Sequence, residues 1–131
     1  MLASVTLRSV AAARLADAEV LLANSRFDGA GYICGYAVEL ALKARVCDVL
    51  NWQGYPENRS EFANLLSFKT HNLDVLLALA GRENHIKQQN FADWSIVAAW
   101  NPEARYQAIG GVSPADALAF VRATKNLIAV I

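Results

Sequence analysis

One segment constrains the fold more than any other: the run from Asp28-Gly29 to about Asn51, which is apolar almost all the way round at helical spacing. Ile33, Ala37, Leu40, Ala44 and Cys47 fall on one side. Cys34, Val38, Leu42 and Val49 fall on the other. A helix with so little polar surface must be covered by neighbours on most sides, so it belongs at the centre of a bundle. The alanines in the first stripe let one of those neighbours approach closely. A single polar line remains, formed by Tyr32, Tyr36, Glu39 and Lys43.

The rest of the chain supplies the covering helices. Residues 4–25 place Leu7, Ala11, Leu15, Ala18 and Leu22 in one stripe, with Ser4 as N-cap and Arg14 spaced to pair with Asp17. Residues 52–69 carry Gly54, Pro56, Asn58 and Ser60 and are expected to form a loop, with a short turn near 62–66. Thr70 is expected to cap a third helix over His71–Ala80, stopped by Gly81. A fourth is expected from His85 to Trp100, ending at Asn101-Pro102. Residues 103–112 form a polar loop that closes in Gly110-Gly111. Ser113-Pro114-Ala115-Asp116 then signals the start of a last helix, which would bury Ala117, Phe120, Thr124, Ile128 and Ile131. No alternating strand pattern, repeat or linker interrupts this order. The expected fold is all-α: an up-and-down bundle of about five helices forming one domain over residues 1–131.

Composition agrees with tight helical packing, since 55% of the 131 residues are hydrophobic and only 18% charged. A chain this apolar leans towards burying surface against another copy, so an oligomer is expected. Twelve basic and twelve acidic residues balance, which offers no global attraction to nucleic acid or to a membrane. Arg14, Asp17 and Glu19 break the first apolar run short of membrane-spanning length, and no membrane role is expected. Cys34 and Cys47 lie on one helix about 20 Å apart along its axis, too far for a disulfide. They are expected to be buried thiols of a cytoplasmic protein.

No phosphate-binding glycine loop, paired-histidine zinc motif or serine elbow is present, so no catalytic residue, metal site or cofactor is assigned. Glu39 and Lys43 are four apart in the order that favours a helical ion pair. Burying them on so apolar a helix costs several kcal/mol unless further partners satisfy them, roughly the penalty of an incompletely paired buried charge. Tyr hydroxyls, His71, Arg105, a second subunit or a bound anion could supply those partners, and an internal network that fixes helix register is the alternative. His71 would dock its helix on the central one or offer a neutral imidazole to a site, whereas His85 is expected at the surface. Arg105-Tyr106 sets a five-donor guanidinium beside an aromatic ring, a pairing suited to phosphate capture and base stacking or to pinning a loop.

In order along the chain stand Arg14, Asp17 and Ala18, then Tyr32-Ile33-Cys34-Gly35-Tyr36-Ala37-Val38-Glu39-Leu40-Ala41-Leu42-Lys43-Ala44. Thr70-His71-Asn72-Leu73 with Leu76, Arg105-Tyr106 and Asp116-Ala117 follow. This succession resembles the HEPN family (higher eukaryotes and prokaryotes nucleotide-binding domain), with Ala37–Ala44 echoing its Ala-x-Glu-x-x-Leu-Lys-Ala pattern and His71-x-Leu73 its short histidine motif. The resemblance implies a helical bundle, usually dimeric, that binds nucleotides or RNA or partners a minimal nucleotidyltransferase in toxin–antitoxin and defence systems.

Many such domains are metal-independent ribonucleases that use an Arg followed after four to six residues by His. Here no histidine follows Arg105, and Arg82 precedes His85 too closely. The resemblance therefore implies a non-catalytic binding protein, with Glu39, Lys43, His71, Arg105 and Tyr106 as ligand-binding candidates and Tyr32 and Tyr36 in support. Two alternatives stand beside it: a ribonuclease whose fold brings His71 and Arg105 together, and a structural scaffold or antitoxin-like subunit.

Overall fold

The computed structural model describes all residues from Met1 to Ile131. Helix α1 (Ser4–Ala23) and helix α2 (Phe27–Leu50) form an antiparallel hairpin, closed by a turn in which Ser25 takes a positive φ. Ser4, at the start of α1, meets Asp48 near the end of α2: its hydroxyl donates to Asp48 Oδ1 at 2.8 Å, and Arg8 pairs with the same carboxylate. Arg14 and Asp17 pair at 3.1 Å, as their spacing requires. Helix α2 is the hub, packed against α1, α3 (Leu73–Leu79) and α6 (Pro114–Val130). Half of its positions are buried, among them Cys34, Ala37, Val38, Leu42, Ala44 and Cys47. The exceptions to the expected ring of buried groups are Val49, exposed near the helix end, and Ile33 and Leu40, which are partly exposed.

The main core gathers Leu7 from α1, Val38 and Leu42 from α2, Leu76 and Leu77 from α3 and Leu127 from α6. Each such fully buried side chain contributes about 1.5–3 kcal/mol relative to exposure. A smaller cluster of Ala18, Ala30, Cys34 and Val121 joins the other end of the hairpin to α6.

Several boundaries differ from the sequence reading, each for a local reason. Six α-helices replace about five. The expected helix over 85–100 is two, α4 (Glu83–Gln89) and α5 (Phe91–Val97), broken at Asn90 with φ −131° and ψ 33°. The break turns the chain so that Ile86 on one piece and Trp94 and Val97 on the other all reach the core. Trp100 lies beyond α5, not within a helix.

Ser4 does not cap α1, because it is already the first residue of the helix and Ala3 holds the cap position; its hydroxyl donates to Asp48 instead. Nor does Thr70 cap α3. Its Oγ1 accepts from the Asn72 amide, and Asn72 becomes the cap, accepting from Val75 N at 3.1 Å. His71 therefore precedes the helix rather than opening it.

In the long connection, β2 (Gly54–Tyr55) pairs antiparallel with β1 (Leu2–Ala3), two-residue strands that the sequence pattern did not signal. The turn expected near 62–66 falls at Leu66–Phe68, as a single 3-10 turn. Gly81 ends the α3 segment at φ +67°, as expected. Ser113 caps α6 by accepting from Asp116 N at 3.1 Å, as the Ser-Pro-Ala-Asp start signal predicts. Along α6, Ala117 and Thr124 are buried as expected, whereas Phe120, Ile128 and Ile131 are partly exposed and Val121, Ala123 and Leu127 complete the buried face.

Candidate functional site

The polar line of α2 runs between two separate sites. Tyr32 and Lys43 lie three turns apart on it, about 16 Å along the axis.

At the Lys43 end, Glu39 is buried to 3% exposure and carries two side-chain partners, Lys43 and His71. Lys43 Nζ donates to Glu39 Oε1 at 2.6 Å and also sits 5.2 Å from the centre of the Tyr55 ring. His71 Nδ1 lies 2.9 and 3.1 Å from the two carboxylate oxygens. This resolves how a carboxylate survives on so apolar a helix: an ammonium and an imidazole cover its oxygens from α2 and from the segment before α3. Tyr55, whose hydroxyl donates to the Phe68 carbonyl at 2.6 Å, walls the same region. Burial pushes its ionisation well above the ordinary tyrosine range. Lys43, Tyr55, Phe68, Lys69 and His71 line a groove of about 500 Å³.

At the other end, Tyr32 donates to the Tyr36 hydroxyl at 3.3 Å. That hydrogen bond, and then burial, push Tyr36 up to about 12. The Tyr36 ring meets Trp100 edge-on at 4.9 Å, and the Trp100 indole N–H donates to the Tyr32 backbone carbonyl at 3.0 Å. Trp100 can approach α2 so closely because position 35 is glycine.

Arg105, in the 3-10 turn Pro102–Tyr106, stacks its guanidinium over the Tyr106 ring at 4.7 Å. It neighbours the Tyr106 and Tyr32 hydroxyls, contacts that push its ionisation further up. Tyr32, Trp100, Arg105, Val112 and Phe120 line a pocket of about 730 Å³, a size that suits a small organic ligand.

The far wall of that pocket is held by Asp28. Its Oδ2 accepts from Gly110 N at 2.7 Å and its Oδ1 from Val112 N at 2.9 Å. These two backbone donors, Gly110 first, hold the Asp28 carboxyl below its ordinary value. Gly110 takes φ +86°, a conformation glycine adopts without strain.

The structure thus brings Glu39, Lys43 and His71 together, and separately Tyr32, Tyr36, Arg105 and Tyr106. It does not bring His71 and Arg105 together, since they line different cavities. Sequence reasoning missed Trp100, Asp28 and Phe120 as pocket-forming residues. Gly35, inside a helix that needs no turn there, is the signal that could have found Trp100, because glycine at such a position marks a close approach. Asp28 and Phe120 left no such signal.

His85 is exposed in α4, and Cys34 and Cys47 are buried free thiols. No group of three or more His, Cys, Asp or Glu side chains is arranged to hold a metal. No helix is long and apolar enough to cross a membrane. No protein-family model, curated protein or solved structure matches the chain significantly.

Proposed function

We propose that the chain is a HEPN-like binding domain that takes an anionic aromatic ligand, a nucleotide or an RNA end, into the pocket between α2, the Arg105 turn and α6. One observation carries the reading: the Arg105 guanidinium, stacked on Tyr106, borders an apolar cavity floored by Trp100. A fixed cation beside aromatic faces is what a phosphate joined to a base requires. Tyr32 lines the same wall.

Lys43 plays no part in that pocket, because its ammonium is engaged by Glu39 at the opposite end of the line. The ligand contacts in this pocket are Tyr32, Trp100 and Arg105, and Tyr106, exposed outside the lining, supports the Arg105 guanidinium by stacking. The assembly proposed with it is a cytoplasmic homodimer that partners a minimal nucleotidyltransferase in a toxin–antitoxin or defence setting. Its support is the ordered resemblance of the quoted residues, together with Val5 and Val20 standing exposed on the outer side of α1. The ribonuclease alternative needs His71 and Arg105 in one cleft; within one chain they line different cavities, which leaves it only an arrangement across two copies.

The test is a titration with ATP, GTP and a short RNA, followed by tryptophan fluorescence. Binding that weakens in Arg105→Ala and persists in Lys43→Ala supports the assignment. Equal binding by wild type and Arg105→Ala overturns it.

A further inference from the structure

The second site, at the Lys43 end of the line, carries a reactive arrangement that the nucleotide pocket lacks. His71 turns Nδ1 towards Glu39, whose two oxygens lie 2.9 and 3.1 Å away. A carboxylate only accepts hydrogen bonds, so Nδ1 must hold the proton of the neutral ring. The lone pair is then on Nε2, which has no hydrogen-bond partner within the protein. The ring is 60% exposed and lines the groove, while its carboxylate is 3% exposed.

One member of this pair is buried and the other is presented. A carboxylate that fixes the tautomer and orientation of an imidazole is what makes histidine an effective proton acceptor. The groove beside it is walled by Leu40, Tyr55, Phe62 and Phe68; Lys43 is paired with Glu39 and Glu57 with the N-terminal ammonium, which leaves Lys69 as its unpaired charge.

We propose that this groove is a hydrolytic site for uncharged esters with an apolar acyl chain, in which His71 is the general base and Glu39 the positioning residue. His71 Nε2 takes a proton from water as the water oxygen bonds to the acyl carbon. The carbonyl π electrons move to oxygen, and the positive charge of Lys69, which lines the groove, stabilises that oxyanion. Its collapse breaks the bond between the acyl carbon and the alcohol oxygen, and the departing oxygen receives the proton from His71. A carboxylic acid and an alcohol leave, and His71 returns to the neutral form. Nothing in this step depends on the Arg105 pocket.

The experiment follows 4-nitrophenyl butyrate hydrolysis by the full chain, against the same concentration of free imidazole. The wild type is expected to exceed imidazole by about 100-fold, the lower range of positioned general-base catalysis. His71→Asn, at an exposed position that leaves the circular dichroism unchanged, falls to the imidazole level, and His85→Asn keeps the full rate. Glu39→Gln loses about tenfold or more while still binding substrate, the kind of loss seen when an orienting partner is removed. Added imidazole restores His71→Gly but not the Glu39 variant, a rescue that a structural role would not produce. A wild type no faster than free imidazole overturns the proposal. So does a folded His71→Asn that keeps the wild-type rate.

Discussion

The indole of Trp100 occupies the space that a side chain at position 35 would need: a Cβ on Gly35 would fall 2.0 Å from Trp100 Cδ2. The same indole donates to the Tyr32 carbonyl one helical turn back, so Trp100 is clamped to α2 at two points. The floor of the larger pocket therefore depends on a missing methyl group in the central helix.

Gly35→Ala is expected to lower stability by at least about 2 kcal/mol, because the overlap outweighs the roughly 1 kcal/mol that alanine gains over glycine inside a helix. Urea denaturation measures the loss. A variant as stable as the wild type would mean that Trp100 does not sit where it is placed here.

Removing the Glu39 carboxylate strands Lys43, which is only 16% exposed. Glu39→Ala is expected to cost about 3 kcal/mol, in the range for breaking one side of a largely buried pair. His71→Ala, at a solvent-facing position, is expected to change stability by less than about 1 kcal/mol. Paired denaturation curves separate the two. Equal losses would contradict the distinction between a buried carboxylate and a presented imidazole.

How much of this was legible in the sequence differs from element to element. Helix α2 was plain because its apolar residues leave only one polar line, and α6 because Ser113, Pro114 and Asp116 act locally. The Glu39–His71 contact was foreseeable as a need, since a carboxylate on so apolar a helix requires partners. Which partner would answer depended on where the chain returned. The start of α3 misled because Thr70 and Asn72 are both competent caps, and only the geometry of the turn decides between them. Asp28 was read as a helix-start acid, but its carboxylate serves the Gly110–Val112 loop from the far end of the chain. Such a contact leaves no local pattern.

Asp28 predicts a pH dependence. Its carboxyl titrates lower in the folded chain than in the unfolded one. Its stabilising contribution is therefore complete above about pH 4, the ordinary aspartate value, and is lost as pH falls through the lowered one. The difference in urea midpoint between wild type and Asp28→Asn should be present at pH 6 and shrink as the solution is acidified below pH 4. A difference that grows on acidification would carry the wrong sign for this account.

The thiols should be silent in the native state. Burial pushes Cys34 up to about 11 and raises Cys47 as well, so little of the reactive thiolate exists near neutrality. A thiol-exchange reagent is expected to titrate neither within minutes in native buffer and both in denaturant. Rapid labelling of Cys34 in the native protein would show that the contact between α2 and α6 opens readily.

The pocket floored by Trp100, which Gly35 admits, and bordered by Arg105 is proposed to take an anionic aromatic ligand. Isothermal calorimetry with a purine nucleotide on wild type and Arg105→Ala is the decisive measurement. Saturable one-site binding is expected in the wild type, weakened at least tenfold in the variant, about 1.4 kcal/mol or more for the lost charge-assisted contact. Binding of equal strength in both proteins, or none in the wild type, would contradict it.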